Sequence, residues 1–420
     1  MPFGLFRSKR AATPTAGVSP LTESVAEAMV APEKRSPERE QLLEKVRFLK
    51  QSGRLAEAAQ LLDTEFKRQS HPVVGYRLIA TLLDLKRYAE ITQLTAAQAF
   101  NSRDFALAAQ LLDDAPTRLA TLCLSGHEPL EHCAYVSMVK DEQDIVLLNL
   151  VWHYMLGFRR FLLLDNLSTD ATADLIEAFR QRFSDATVLV LKDTVVAHFQ
   201  GRKMSGAVSY LKALWPELEW VALVDADEFL CAEQPLHQML SAAPPHIQGL
   251  MLPKSIYRPT SLDQLTDASD FHRRVTRRQL LSHVSTKMMV RAEIGLNIAQ
   301  GNHRFLETKG YTTANYGAVQ GLTMREFPLR SFAQFEKKVA SGHRAIEAAK
   351  DQGLKAVGGD HWVNMSRVLT QQGSDGLIQH VTGQMAGYAK QPFLEDPLPL
   401  DTVMEKHWPD WRSALPQPAG

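Results

Sequence analysis

Two carboxylates directly follow a short apolar segment of this 420-residue chain. Residues 220–224 are rich in valine and leucine, which is typical of a buried strand. Asp225 and Asp227 come next, and because residues two apart in an extended chain point the same way, their side chains share one face. Adjacent carboxylates repel each other unless a cation or hydrogen bonds compensate. A hard ion such as Mg²⁺ or Mn²⁺, itself bound to a diphosphate, would do so; the alternative is a polar turn after a strand.

Two more polar clusters follow apolar segments of the same kind. The periodicity predicts strands at 134–139, 160–164, 187–191 and 221–224, alternating with helices at 144–156, 171–183 and 200–214. Such alternation predicts an α/β fold with a mostly parallel sheet, whose ligands bind beyond the carboxyl ends of the strands. Lys140 and Glu142 follow the first strand, and Asp165, Ser168 and Asp170 follow the second. All three clusters are therefore expected on one rim of the sheet.

The composition argues against several classes of protein. Lys plus Arg equals Asp plus Glu at 47 each, so we expect no nucleic acid partner. The three cysteines, Cys123, Cys133 and Cys231, lack metal-site spacing and cannot all pair, which favours a reducing compartment such as the cytoplasm. Because no run of eighteen apolar residues occurs, we expect no transmembrane span. The aromatic and basic residues among 1–10 could contact the inner membrane peripherally, or could form a frayed end.

The N-terminal part of the chain has a different pattern from the rest. Residues 1–38, with five prolines among small and charged residues, are expected to be a flexible leader. Residues 39–120 have helical periodicity, and the segment 53–57 recurs as 86–90, at a shift of 33 residues. This spacing predicts a short tetratricopeptide-like array of helix pairs, with an ordinary antiparallel bundle as the alternative. Either would serve as a docking or spacer module, so a protein partner could bind there.

An ordered set of motifs covers residues 132–345. The motifs are Val139-Lys140-Asp141-Glu142, His153-Tyr154, Leu156-Gly157, Asp165 to Asp170, Asp225 to Phe229, Lys287 to Arg291, Gly301-Asn302-His303 and Phe327 to Phe335. Together they resemble glycosyltransferase family 2 of the GT-A fold, in the bacterial branch akin to family 92. Asp141 and Glu326 depart from the usual Asn and the frequent His of that family. Residues 346–420 would then be a C-terminal extension that completes the acceptor side.

This resemblance implies metal-dependent, inverting transfer from a nucleotide-sugar donor, expected to be a UDP-sugar, to a glycan or glycoconjugate in polysaccharide assembly. It implies Asp225, Asp227 and His303 as ligands of Mn²⁺ or Mg²⁺. It also implies donor contacts from a larger set, namely Lys140, Glu142, Asp165, Ser168, Asp170, Asp225, Lys287 and Arg291.

Several of these residues have a simpler interpretation. Asp170 could only cap the helix that follows it. Glu228 could support a metal ligand or only form a salt bridge. His303 could be a structural histidine, and Lys287 and Arg291 could be solvated surface cations.

Inverting transfer needs a base that takes the proton of the acceptor hydroxyl. Glu326, Asp360 and His361 are the candidates, and spacing does not distinguish them. Residues 358–362 are expected to form a loop whose Trp362 could stack on a sugar face.

Two other functions fit parts of the pattern. A non-catalytic GT-A-like scaffold would use the helical region for protein binding, and Glu326 in place of the usual His favours it. A two-carboxylate glycoside hydrolase would need a protonated acid at Asp225 or Asp227. Two adjacent carboxylates on a strand tip suit a metal ion better.

Overall fold

The computed structural model describes residues 36–416, except 70, 71, 86, 88, 89, 91–93, 95–118, 120, 196–198, 244, 246, 269, 280–284, 307–315, 352–359 and 392. The expected leader and membrane-contacting end lie outside the described residues. The chain divides into two compact units, Met1–Ala99 and Phe100–Gly420. The described helices include none that is long and apolar enough to cross a membrane.

The N-terminal unit is helical in its described part. It contains α1 (Pro37–Gln51), α2 (Leu55–Gln69) and α3 (Pro72–Asp84). The amide of Arg54 donates to the carbonyl of Leu49 (2.8 Å), and the amide of Arg87 donates to that of Leu82 (2.9 Å). The same turn therefore closes twice at a shift of 33 residues. The tetratricopeptide-like interpretation stays a prediction, and the helix expected at 105–112 lies outside the described residues.

The C-terminal unit contains a nine-stranded sheet and a separate two-stranded ribbon. The strands are β1 (Cys133–Val139), β2 (Arg160–Asp165), β3 (Thr187–Lys192), β4 (Trp220–Leu223), β5 (Glu228–Ala232), β6 (Gly249–Ile256), β7 (Arg277–Gln279), β8 (Ser285–Arg291), β9 (Tyr316–Gly317), β10 (Leu322–Glu326) and β11 (Phe393–Glu395). The order is β3-β2-β1-β4-β8-β6-β10-β5, with β9 beside β6, while β7 and β11 form the ribbon. Strands β1 to β4 are parallel, and β8 is antiparallel to both β4 and β6.

Helices cover both faces of this sheet. They are α4 (Val146–Met155), α5 (Thr172–Arg182), α6 (Gln200–Leu214), α7 (Leu236–Ser241), α8 (Phe271–Arg274), α9 (Phe332–Asp351), α10 (Asp360–Tyr388) and α11 (Leu400–His407). Tyr135 packs in one core with α4 and α5, whereas its neighbours Ala134 and Val136 pack in another with α6. This alternation follows from the two-residue period of a strand. The predicted α/β class is confirmed.

The sheet has a topological switch point between β1 and β4. The chain leaves β1 towards β2 and β3 on one side and returns to β4 on the other. Connections then diverge above the carboxyl ends of β1 and β4, which leaves a crevice where ligands bind in open α/β sheets. The Lys140–Glu142 and Asp225–Asp227 segments follow these two strands.

Helices α9 and α10 pack against each other beside this crevice. Phe335 and Val339 of α9 lie in one core with Leu377 and Val381 of α10. Of the segment expected to be a loop, residues 358 and 359 lie outside the described residues, and residues 360–362 begin α10, which is interrupted at Gly373. Trp362 packs against α9.

Candidate functional site

A cavity of about 270 Å³ lies at the switch point. Its walls come from the loops after β1 and β4, the start of α6, and one side of α9 and α10. The lining residues include Lys140, Asp141, Glu142, Asn166, Phe199, Gln200, Lys203, Asp225, Asp227, Gln334, Lys337, Lys338, Ser341, Gly342, Arg344 and Trp362. Both aspartates therefore line one cavity, but they do so from a turn after β4, with Ala226 between them also in the lining, and not from alternate positions of an extended strand.

Asp225 is held by two protein donors. Its Oδ1 accepts from Nε2 of Gln200 (2.7 Å), and its Oδ2 accepts from Nζ of Lys287 (2.5 Å). The Oε1 of Gln200 in turn accepts from the amide of Gly301 (3.1 Å). Gln200 thus ties the start of α6 and the segment around Gly301 to the strand tip.

Asp227 is buried and faces two cations. Nζ of Lys338 donates to its Oδ2 (2.5 Å), and Nη1 of Arg330 lies 3.9 Å from the same oxygen. Burial raises the pKa of Asp227, but the charges of Lys338 and Arg330 outweigh it and lower the pKa to about 2. Asp227 is therefore ionised at neutral pH and is not a proton donor.

Arg330 lies at the centre of one charge network, which we call the Arg330 group. Its members are Glu142, Asp144, Asp227, Arg330 and Lys338. The Nε of Arg330 donates to Oδ2 of Asp144 (2.6 Å), and its Nη2 donates to Oε2 of Glu142. Burial raises the pKa of Glu142 to about 7, although Arg330 acts in the opposite direction. A cation with so many partners is fixed in place.

A second network, the Lys254 group, lies on the Asp225 side. Its members are Asp225, Glu228, Lys254, Lys287 and Glu326. Oε1 of Glu228 is 3.3 Å from both ammonium groups, and its Oε2 accepts from the amide of Asp225 (3.0 Å). Burial raises the pKa of Glu228 to about 7. Glu228 therefore forms salt bridges with Lys254 and Lys287, as its simpler interpretation expects.

The polar residues after β1 and β2 mostly hold these two loops to each other. Asp165 accepts from the amide of Ser168 (2.9 Å), and the Ser168 hydroxyl accepts from the amide of Asp141 (3.1 Å). Asp170 accepts from the amide of Thr172, the first residue of α5 (2.9 Å), and from the amide of Gln143 in the loop after β1 (3.2 Å), whereas the N-cap position of α5 is Ala171. Among these loop residues, Lys140 and Glu142 line the cavity, whereas Asp165, Ser168 and Asp170 do not. Their predicted donor contacts stay predictions.

The structure does not bring Arg291 to this rim. In the antiparallel register Arg291 pairs with Trp220, at the amino end of β4, and its guanidinium stacks 4.1 Å from that ring. Lys287 lies four residues earlier in β8 and therefore reaches the carboxyl end of β4 instead. The direction of β8, which the sequence pattern did not reveal, separates the two cations.

His303 is engaged by the backbone. Its Nδ1 lies 2.5 Å from the carbonyl oxygen of Thr286, and burial, followed by the charge of Lys287, lowers its pKa to about 4. Neutral imidazole can bind a metal ion, but His303 is not among the cavity-lining residues. Its predicted role stays a prediction.

The structure describes the side chain of only one of the three base candidates. Glu326 forms an ion pair with Lys254 (3.0 Å) and is not among the cavity-lining residues. The side chains of Asp360 and His361 lie outside the described residues. The next residue, Trp362, lines the cavity.

Sequence reasoning missed Gln200, Lys254 and Lys338. Lys338 lines the cavity with Gln334, Ser341 and Ala345, at the spacing of one helix face. That spacing could have suggested that these residues share one face of a helix, but it could not have shown which part of the chain that face contacts.

The site fits a divalent ion by its chemistry. Within the described residues, no three His, Cys, Asp or Glu side chains lie together in a way that could hold a metal ion. Mg²⁺ in phosphate-handling sites needs only one or two carboxylates, because water and phosphate oxygens complete the shell. The Arg330 and Lys254 groups each combine three carboxylates with two cations, which leaves about one negative charge on each when every member is ionised. A dication between Asp225 and Asp227 would offset this charge and would favour the ionised forms of Glu142 and Glu228, whose pKa values burial raises to about 7.

No protein-family model matches the sequence, and no curated protein matches it. Among solved structures, the chain is similar to the mannosyltransferase PcManGT from Pyrobaculum calidifontis in complex with GDP-Man and Mn²⁺. The identity is 12% and the TM-score 0.30, over 78% of this chain and 94% of that one. It is also similar to HddC from Yersinia pseudotuberculosis, at 12% identity and a TM-score of 0.28, over 49% of this chain and 99% of that one. Likeness at these values assigns neither a family nor an activity, so function has to be inferred from the site.

Proposed function

We propose that this protein is a metal-dependent glycosyltransferase of the GT-A type, which transfers a sugar from a nucleotide-sugar donor to a glycan or glycoconjugate. One observation carries the proposal: Asp225 and Asp227 face a single cavity at the switch point between β1 and β4. Carboxylates at such a point suit a cation that holds a diphosphate. The sequence motifs that resemble glycosyltransferase family 2 support the same conclusion.

In this proposal, Asp227 and Asp225 hold Mn²⁺ or Mg²⁺. When bound, the ion neutralises the charge that develops on the departing nucleoside diphosphate. Arg330 keeps Asp227 ionised, and Gln200 and Lys287 fix the carboxylate plane of Asp225. The ligands therefore need little reorganisation when the donor binds.

The remaining cavity walls bind and orient the sugars. Trp362 offers an aromatic face, on which the apolar side of a sugar ring can stack. A base must take the proton of the attacking acceptor hydroxyl, and Glu326, Asp360 and His361 remain the candidates. The UDP moiety, the inverting outcome and the acceptor remain predictions from the sequence.

A non-catalytic scaffold is the second candidate, and one observation favours it. Three of the four carboxylate oxygens of Asp225 and Asp227 accept from protein donors, so these side chains can be held in place by protein contacts. The low pKa of Asp227 argues against a glycoside hydrolase that uses it as an acid.

Release of nucleoside diphosphate from a panel of UDP-, GDP- and other nucleotide sugars, with Mn²⁺ or with excess chelator, tests the proposal. We expect the full-length protein to consume one donor only when the ion is present. Asp227→Asn should reduce turnover at least about a hundredfold, whereas Asp263→Asn, at an exposed aspartate, should leave it unchanged. Consumption of no donor by the wild type, or full activity in chelator, would refute the proposal.

A further inference from the structure

Four cations contact the carboxylates of the two charge networks, and they differ in exposure. The side chains of Arg330, Lys287 and Lys254 are 0%, 1% and 8% exposed, whereas that of Lys338 is 27% exposed. Lys338 also differs in that it lines the cavity, together with both aspartates. Of the four, it alone borders the space in which a ligand would lie.

These cations also differ in how many partners hold them. Arg330 binds Glu142 and Asp144 and also donates to the carbonyl of Phe327 (3.2 Å), so moving it would break several bonds. Lys338, in contrast, has one carboxylate partner within 4 Å among the described residues, Asp227. Its ammonium sits on a four-carbon stem that rotates freely, which suits a charge that changes partners.

The position of Lys338 makes a change of partner possible without moving the backbone. It lies on the cavity side of α9, where Gln334 and Ser341 flank it one turn away. The other side of α9 is anchored in the core through Phe335 and Val339. The helix can stay fixed while the ammonium turns from Asp227 into the cavity.

A divalent ion and Lys338 need the same carboxylate. The Lys338 ammonium donates to Oδ2 of Asp227 (2.5 Å), so an ion bound to the same carboxylate would lie close to a like charge, and such charges repel strongly in a partly buried site. An ion bound at Asp227 would supply two charges where Lys338 supplies one. The displaced ammonium would then lie beside the diphosphate, whose oxygens are a favourable partner.

We propose that Lys338 is an exchangeable cation, which neutralises Asp227 while no divalent ion is present and turns to the donor's diphosphate when the ion takes its place. The part concerning the donor rests on the proposed function. A consequence is that the free protein binds the ion weakly and the diphosphate strengthens that binding. The site is thereby protected against holding metal without substrate.

Mn²⁺ binding to the full-length protein without nucleotide, measured by calorimetry or by the paramagnetic signal of free Mn²⁺, tests the exchange. Lys338→Gln should bind Mn²⁺ about tenfold more tightly than the wild type, because a competing charge beside Asp227 is gone. Lys338→Arg keeps the charge and should bind as weakly as the wild type. Mn²⁺ affinity unchanged in Lys338→Gln, or equally raised in Lys338→Arg, would overturn the proposal.

Lys337→Gln is the matched control. Lys337 also lines the cavity but has no carboxylate within ion-pair distance in the described part of the chain. The Lys337→Gln substitution removes the same charge one position away and should change Mn²⁺ affinity less than about twofold. An effect as large as that of Lys338→Gln would mean general electrostatics and would also overturn the exchange.

Inorganic pyrophosphate serves as the probe for the second half of the exchange. We expect pyrophosphate to strengthen Mn²⁺ binding severalfold more in the wild type than in Lys338→Gln. Equal strengthening in both proteins would refute the contact with the diphosphate. None of these measurements needs turnover. If the protein consumes no nucleotide sugar, the proposed function is refuted, but the Mn²⁺ affinities still decide the role of Lys338.

Discussion

At the residue scale, two neighbouring carboxylates behave in opposite ways. Asp227 has a pKa lowered to about 2, whereas the pKa of Glu228 is raised to about 7. Burial opposes ionisation in both. At Asp227 the charges of Lys338 and Arg330 outweigh burial. At Glu228 burial outweighs the charge of Lys287, and the adjacent charge of Asp225 adds to the effect of burial. The partners of a side chain therefore decide its charge more than its residue type does.

His153 gives a prediction for the dependence of stability on pH. Its Nδ1 lies 2.8 Å from the carbonyl of Asn149, and its Nε2 accepts from the amide of Leu230 (3.3 Å), so the folded protein holds the neutral ring. Burial lowers its pKa to about 3, against about 6.5 when unfolded. Its contribution is complete above about pH 6.5 and is lost as pH falls towards 3, by about 3 kcal/mol between pH 7 and pH 4.

Denaturant unfolding at pH 7 and pH 4 measures this loss. His153→Leu should weaken the pH dependence by roughly that amount, although it also removes two hydrogen bonds at either pH. His132→Leu, at an exposed histidine, should leave the dependence as it is in the wild type. The same slope in His153→Leu and wild type would contradict the prediction.

At the scale of elements, two close approaches of backbone position the cavity walls. Gly201 lets α6 approach the segment before His303, and Gly342 lets α9 approach Trp362. Neither glycine has a positive φ. The fold therefore requires glycine at these positions because a side chain would not fit, and not because the backbone needs an unusual conformation.

Gly201→Ala should loosen the site from the α6 side. A Cβ there would lie 2.4 Å from the backbone oxygen of Ile298, which cannot move as a side chain would. We expect a loss of stability of about 2 kcal/mol or more, together with weaker Mn²⁺ binding, because Gln200 would move from Asp225. Gly206→Ala, in the same helix with no atom within 4 Å, should be neutral or slightly stabilising. Thermal unfolding and calorimetry would show both effects, and equal behaviour of the two variants would contradict this account.

Gly342→Ala should displace the aromatic wall of the cavity. A Cβ there would lie 2.9 Å from Cγ of Trp362, so the ring has to shift. We expect severalfold weaker sugar binding in the donor assay, seen as a higher KM, together with a lower thermal midpoint, because Cγ is the root of the ring and not a flexible end. Gly383→Ala in α10, which meets no atom within 4 Å, should leave KM unchanged. An unchanged KM in Gly342→Ala would exclude Trp362 as a sugar platform.

At the scale of the whole molecule, the site belongs entirely to the unit Phe100–Gly420. Among the described residues, its two charge networks and its cavity walls use none from Met1–Ala99. We therefore expect residues 100–420, produced alone, to unfold cooperatively and to bind Mn²⁺ with pyrophosphate within about threefold of the full chain. A calorimetric titration checks this. A fragment that folds but does not bind would mean that the N-terminal unit takes part in the site.

The N-terminal unit repeats a small structural feature. Arg54 forms a two-bond ion pair with Glu57, and Arg87 forms the same pair with Glu90, 33 residues later. Exposed pairs of this kind contribute little stability. Their recurrence with the same turn hydrogen bond supports a repeated helix-pair unit, and the docking role predicted for it stays a prediction.

The sequence by itself determined the alternation of β1 to β4 with α4 to α6 and the meeting of acidic tips at one rim. These features follow from local periodicity and from the rule that parallel strands end at the same edge. Only the tertiary structure decided which cations meet those tips. Lys254, Lys287, Arg330 and Lys338 come from β6, β8, the loop after β10 and α9. Strand direction and helix docking at long range place them, and no spacing along the chain encodes either one.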